Sequence, residues 1–165
     1  MDALHEMFLH HAWATQKLIE HCASIPHKRL HESIPGTFGA IHPTLVHLIS
    51  ADQRYLERLD GEPRDPSLSE DAHPSLEELT AHAEASSVRW LRILDRLPEL
   101  DITLPPRDSG PGWPHAEALL VLQAIHHGND HRTQVCSTLG ALGLEVPSID
   151  GWAYWTANRL LRTAG

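Results

Sequence analysis

Apolar residues recur at helical spacing in four long stretches of this chain, and segments rich in proline, glycine and acidic residues separate them. The i, i+3, i+4 pattern predicts amphipathic helices over about 2–24, 39–60, 75–97 and 116–139. A shorter stretch that contains tryptophan and tyrosine begins at Asp150, a residue type that suits a helix N-cap, and it predicts a short fifth helix.

Several predicted helix ends carry residues that favour capping or termination. Ser75, followed by Glu78 three residues later, predicts a capping box at the start of the third helix. Gly61 is expected to end the second helix, and Gly140 or Gly143 to end the fourth.

The connections between the long helices differ in length and character. Segments 61–74 and 107–114 are expected to be loops, and 101–106 a short extended piece, with no indication of a sheet. Four long amphipathic helices with longer first and third connections predict an all-α fold, namely an up-down four-helix bundle with a long crossover connection. The length of 165 residues predicts a single domain over 1–165.

Composition narrows the classes of protein that the chain can belong to. With 41% hydrophobic and 21% charged residues, and no apolar run approaching 18 residues, it is typical of a soluble globular protein that does not enter a membrane. The start of the chain does not resemble a secretion signal, so a cytoplasmic location is expected. The net charge is −9 and no lysine–arginine cluster stands out, which argues against nucleic-acid binding.

Histidine is unusually abundant, with 14 residues in the chain. At this frequency about one His-x-x-x-His pair is expected by chance, and two are present, at His27/His31 and His127/His131. The first pair precedes Pro35-Gly36 and is expected in or beside a loop, so it is discounted as a site. The second pair lies within the fourth predicted helix, where residues four apart project from one face and suit a shared divalent ion.

A metal site of this kind needs a third ligand, and His47 is the best candidate. On the second predicted helix it shares a face with the small residues Ala40, Thr44 and Ala51, which would leave room for an ion. The alternative is that His47 is a hydrogen-bonded core histidine and that the His127/His131 pair arose by chance. Other histidines on predicted helices are expected at the surface, although periodicity alone does not exclude them as ligands: His10, His11, His21 and His82.

Two groups of residues carry a resemblance to a known family. In the second predicted helix and the turn before it they are Thr37-Phe38-Gly39-Ala40-Ile41, Thr44-Leu45-Val46-His47-Leu48, Ala51-Asp52 and Tyr55-Leu56. In the fourth they are His127-x-x-x-His131-Arg132-x-Gln134. Together, and with Trp13 in the first helix, they resemble the DinB/YfiT-like superfamily of metal-binding four-helix bundles. Thr15-Gln16 and the short acid Asp52 depart from the residues that the superfamily usually has there.

The resemblance implies a metal site formed by His47, His127 and His131. Three imidazoles leave open positions on an ion such as Zn, Ni, Mn or Fe, as catalytic sites do. Characterised branches of the superfamily are similar to thiol-dependent transferases, so the resemblance implies a metal-dependent thiol S-transferase with a low-molecular-weight thiol cofactor and a small-molecule substrate. A homodimeric state is also expected. The alternatives are a non-catalytic metal-binding or stress-related module and a metal-dependent hydrolase.

Further residues could support such a site. Asp52, Asp130 or Gln134 could orient ligand imidazoles through the second ring nitrogen, although both acids could equally be surface residues. Arg132 could bind a substrate carboxylate, but an ion-paired or solvated arginine is the simpler interpretation. Trp13 could form a pocket wall or be plain core. The two cysteines, Cys22 and Cys136, are expected to be small buried apolar residues with no catalytic role.

Overall fold

The computed structural model describes residues 2–68, 73–105 and 112–162, and within these ranges every regular element is helical. The helices are α1 (Ala3–Ala23), α2 (His27–Leu30), α3 (Ile41–Asp60), α4 (Leu76–Arg96), α5 (Ala116–Ala141) and α6 (Gly151–Arg162). The four long helices and the C-terminal helix confirm the predicted all-α fold class. None of the helices in the described part of the chain is long and apolar enough to cross a membrane.

The capping residues act as the sequence predicts. The Ser75 side chain accepts from the Glu78 N–H while the Glu78 carboxylate accepts from the Ser75 N–H, which completes a capping box. Gly61 follows α3 with a φ of 75°, a conformation that favours glycine. Gly143, with a φ of 70°, follows α5, whereas Gly140 lies inside that helix.

The long helices form a bundle in which the chain crosses from corner to corner. Helix α1 packs against α4 and α5, and α3 packs against the same two helices, so α1 and α3 occupy opposite corners. The first and third connections, 24–40 and 97–115, therefore join helices at diagonally opposite corners. This arrangement explains why these connections are longer than a tight helix–helix turn.

Two connections differ in detail from the sequence prediction. The helix α2 forms one short turn at His27, where only a loop was expected. The predicted extended piece over 101–106 is reduced to a single antiparallel bridge, in which Leu104 and Trp113 exchange backbone hydrogen bonds of 3.0 and 2.8 Å. The parts of the predicted loops at 69–72 and 106–111 lie outside the described residues.

The core consists of two hydrophobic clusters that stack along the bundle axis. One cluster is built around Leu18, Leu45, Leu79 and Leu139, and the other around Phe8, Leu56, Trp90 and Leu120. A buried polar layer separates them, and each long helix contributes to it. Its members are His11 and Thr15 from α1, Asp52 from α3, Ser86 from α4 and Arg132 from α5. The predicted metal ligands lie at the edge of this layer.

Candidate metal centre

Helix α3 presents His47 from a face of small side chains, as the sequence predicts. Thr44 and Ala51, one turn on either side, are buried, whereas His47 itself is half-buried. The ring of Phe38, from the turn before α3, stacks on the His47 imidazole with ring centroids 4.2 Å apart. This stacking limits the motion of a side chain that would otherwise face solvent.

Helix α5 brings His127 and His131 together on one face, with ring centroids 4.3 Å apart. On the neighbouring helix α3, His47 Nε2 lies 3.1 Å from His127 Nε2. The three side chains each offer a ligand atom, and these atoms all lie within 4.8 Å of one another. The structure therefore places the three predicted ligands in one cluster of the kind that can hold a metal ion.

Gln134 fixes the orientation of His131. Its side-chain oxygen accepts from the Phe38 backbone N–H at 3.0 Å and from His131 Nδ1–H at 3.2 Å. A protonated Nδ1 leaves the lone pair of a neutral imidazole on Nε2, the nitrogen available to a metal. The same contact attaches the Phe38 turn to α5, so one residue orients a ligand and holds the loop that covers His47.

The electrostatic surroundings favour neutral imidazoles. Burial, followed by the neighbouring rings of His131 and His47, lowers the pKa of His127 to about 4. Burial also lowers the pKa of His131, although the hydrogen bond to Gln134 and the charge of Asp130 oppose this effect. Neutral rings can coordinate a cation near pH 7 without first releasing a proton.

A hydrogen-bonded network lies directly beneath the cluster. His11 Nε2 lies 2.9 Å from a carboxylate oxygen of Asp52, and its Nδ1 lies 3.2 Å from Arg132 Nη1. Because arginine only donates, Nδ1 must accept from it, and Nε2–H therefore donates to Asp52. Arg132 also donates to Thr15 and Asn129, at 3.0 and 2.6 Å.

This network changes the roles expected for three residues. His11 was expected at the surface, but it is only 3% exposed, so that prediction was wrong. Asp52 hydrogen-bonds to His11, and its charge acts on the candidate ligand His127. Arg132 is buried and donates its N–H groups to partners within the protein, a geometry that argues against substrate binding. The charge of Asp52 helps to keep it protonated.

The remaining predicted residues lie farther from the imidazoles. Asp130 is exposed on α5 and acts on His131 only through its charge. The Trp13 ring packs against His10 and Tyr154 between α1 and α6, so its contacts place it outside the cluster.

Three residues that shape the site were not predicted from the sequence. Each does so through contacts between helices or with a turn, which the spacing of apolar residues does not show. They are Phe38, His11 and Gly128. Gly128 lies between the two ligands of α5, and a Cβ there would lie 2.7 Å from His11 Nδ1 and closer still to Cε1. In the sequence, the glycine between the two candidate ligand histidines was the one sign that another side chain packs closely against this face of α5.

Comparison with known proteins agrees with this architecture. The family model described as "DinB family" matches residues 1–160. The crystal structure of a DinB-like protein from Bacillus cereus ATCC 10987 superposes with a TM-score of 0.64 at 15% identity, over 88% of this chain and 94% of that chain. No curated protein sequence matches. Because the family model spans nearly the whole sequence, this chain belongs to the DinB family.

Proposed function

We propose that this protein binds a divalent transition metal through His47, His127 and His131 and acts as a metal-dependent thiol S-transferase on a small molecule. The observation that carries the proposal is the mutual approach of three imidazole ligand atoms to within 4.8 Å. Zinc, nickel, manganese and iron are the ions considered, because an all-imidazole donor set accommodates several first-row metals.

The residues present fit a catalytic rather than a structural metal. Three protein ligands leave coordination positions open, whereas closed structural zinc sites use four. His127 Nδ1 is buried without a hydrogen-bond partner among the described residues, which leaves its protonation state to be set by what Nε2 binds. A divalent ion held here would keep a thiol deprotonated near neutral pH.

The protein's own cysteines are poor nucleophiles. Burial raises the pKa of Cys22 to about 12, and burial also raises the pKa of Cys136. A thiolate is the reactive form, so thiol chemistry at this site requires a thiol supplied by a second molecule. This requirement supports the low-molecular-weight thiol as cosubstrate.

A cavity beside His127 could hold the substrate. It has a volume of about 520 Å³ and is lined by Tyr55, Arg58, Leu104, Trp113 and Gln123, among others. The Tyr55 ring connects the cavity to the cluster, because it meets the His127 ring edge-on with centroids 5.9 Å apart. The described walls combine apolar and aromatic side chains with polar ones, among them the cationic Arg58, a lining that suits an electrophile with an apolar body and an anionic group.

The test combines metal analysis with a conjugation assay. Purified protein loaded with Zn²⁺, Ni²⁺ or Mn²⁺ is offered several cellular thiols with monochlorobimane, and in parallel with neutral and anionic aromatic electrophiles. We expect turnover with at least one thiol and a lower KM for the anionic electrophiles. The His47→Ala, His127→Ala double variant should lose the metal bound at this cluster, and turnover with it, while it keeps its helical circular dichroism.

The matched control is His126→Ala, because His126 is exposed on α5 directly beside His127. It should retain metal and turnover. If the wild-type protein binds metal stoichiometrically but conjugates no thiol, the transferase proposal fails and the non-catalytic metal-binding function takes its place. If metal content is unchanged in the double variant, the assigned ligands are wrong.

A further inference from the structure

A second group of histidines surrounds a separate cavity at one end of the bundle. The cavity has a volume of about 700 Å³, and its walls come from the end of α1, from α2, from α3 and from the segment before α4. Four of its lining residues are histidines: His27, His31, His42 and His73. None of them belongs to the cluster at His47.

The His27/His31 pair is already arranged as two ligands of one ion would be. Their Nε2 atoms lie 3.3 Å apart, and the ring centroids are 4.6 Å apart. Two nitrogens bound at about 2.0–2.1 Å to one tetrahedral ion are separated by roughly 3.3–3.4 Å. The short helix α2 produces this geometry because it places His27 and His31 one turn apart.

His42 holds the opposite wall of the cavity in place. This buried residue of α3 donates from Nε2 to the Pro74 carbonyl oxygen at 2.8 Å, and its ring lies 5.4 Å from the ring of His31. The bond fixes the backbone directly after His73 against α3. His73 is exposed on the cavity rim, so its side chain can reorient toward the pair.

We propose that His27, His31 and His73 form a second binding site for a borderline divalent cation such as Zn²⁺, Ni²⁺ or Cu²⁺. Two ligands are in place and the third must reorient, so this site binds more weakly than the cluster at His47, whose three ligand atoms already lie together. His42 is a positioning residue and not a ligand. Occupation ties the first helix connection to the second at this end of the bundle.

The experiment is equilibrium dialysis of the metal-free protein against increasing Zn²⁺, with bound metal measured by elemental analysis. We expect two equivalents per chain, bound in a tight and a weaker class. The His27→Ala, His31→Ala double variant should lose one equivalent, from the weaker class. The His47→Ala, His127→Ala variant should lose the tight class and retain the weaker one.

Further variants separate a built site from general attraction to a histidine-rich surface. His73→Ala should weaken the second class roughly tenfold or more, because it removes a ligand. His115→Ala, at an exposed histidine that belongs to neither group of proposed ligands, should leave both classes unchanged. Saturation of wild-type protein at one equivalent, or survival of the second equivalent without His27 and His31, would overturn the proposal.

These outcomes are independent of catalysis. A protein that conjugates no thiol but binds two equivalents would remove the transferase proposal and leave the second site intact. A protein that conjugates a thiol but binds only one equivalent of metal would support the transferase proposal and remove the second site. Retained circular dichroism in each variant shows that the loss of metal reflects ligands and not unfolding.

Discussion

At the scale of single residues, the geometry of the site depends on a position without a side chain. Gly128 faces the His11 ring, and an added methyl would overlap that ring and meet Arg132 Nη1 at 3.0 Å. Both neighbours are fixed by the hydrogen bonds of the buried network, so neither can move without breaking a contact. The close approach of α1 to α5 below the ligands therefore requires glycine here.

Gly128→Ala should therefore destabilise the protein, although alanine favours helix. The overlap is expected to cost about 1–3 kcal/mol or more, against a gain in helix propensity of about 1 kcal/mol. Urea unfolding monitored by circular dichroism measures the difference. Gly140→Ala is the matched control on the same helix, because its nearest neighbour, Val146 Cγ2, is at an ordinary 3.6 Å. Equal stabilisation of the two variants would contradict the expected clash.

The sequence predicted the clustering of the three histidines more successfully than it predicted the residues that support them. The spacing of His127 and His131, and the small residues around His47, follow from helical geometry that can be counted along the chain. His11 could not be placed in the same way, because a histidine on an amphipathic helix is typical of the solvent face. Its burial depends on Asp52 and Arg132, which are 41 and 121 residues away in the sequence.

At the scale of helices, the buried polar layer joins three of them between the two hydrophobic clusters. Asp52 of α3, His11 of α1 and Arg132 of α5 form a chain of hydrogen bonds through the bundle centre. Burial lowers the pKa of Arg132 to about 10, a value at which it stays charged at neutral pH, and Asp52 supplies the opposing charge. This chain of hydrogen bonds therefore stabilises the bundle only while Asp52, His11 and Arg132 are all present.

Asp52→Ala should be strongly destabilising, by about 3–5 kcal/mol, because it leaves a buried guanidinium without its counter-charge and His11 without an acceptor. The measurement is again the free energy of unfolding in urea. Asp95→Ala is the control, since Asp95 also pairs with a histidine, His5, at 3.1 Å, but is exposed. Its effect should stay below about 1 kcal/mol. Similar effects for the two variants would show that the layer does not carry buried charge.

Helix boundaries were predicted correctly where they depend on residues close by in the sequence, and they were missed where they depend on distant contacts. The capping box at Ser75 and the left-handed Gly61 depend on residues within one turn of the boundary, so the sequence is sufficient. Helix α2 has four residues, too few for a hydrophobic period to show. It is held instead by distant contacts, including a hydrogen bond from Arg29 to the Leu142 carbonyl oxygen.

At the scale of the whole molecule, pattern predicted the number of long helices but not their placement at the corners. The diagonal relation of α1 and α3 sets His11 opposite Asp52 and brings His47 to the α5 histidines. An amphipathic face shows that a helix packs against another helix but not against which one. The lengths of the connections were therefore the only indication in the sequence of a crossover. The homodimeric state stays a prediction, since it concerns contacts beyond one chain.

The whole molecule should become less stable in acid when it is free of metal, and His127 should account for part of the loss. Its pKa is lowered from 6.5 to about 4 in the folded chain, mainly by burial. Below pH 6.5 the unfolded chain therefore binds a proton that the folded chain does not. Stability is fully present above that pH and falls as the pH drops toward about 4.

The measurement is the free energy of unfolding in urea, with a chelator present, between pH 7.5 and 4.5, for wild-type protein and His127→Leu. His131, whose pKa is also lowered, acts in the same direction, whereas the raised pKa of His5 acts in the opposite one. Comparison of the two proteins isolates His127, because both contain the other groups. The wild type should lose more stability than the variant, on the order of 2 kcal/mol after allowance for solvent screening. Parallel pH profiles would mean that the His127 imidazole is solvated, and the buried, neutral character assigned to this ligand would then be wrong.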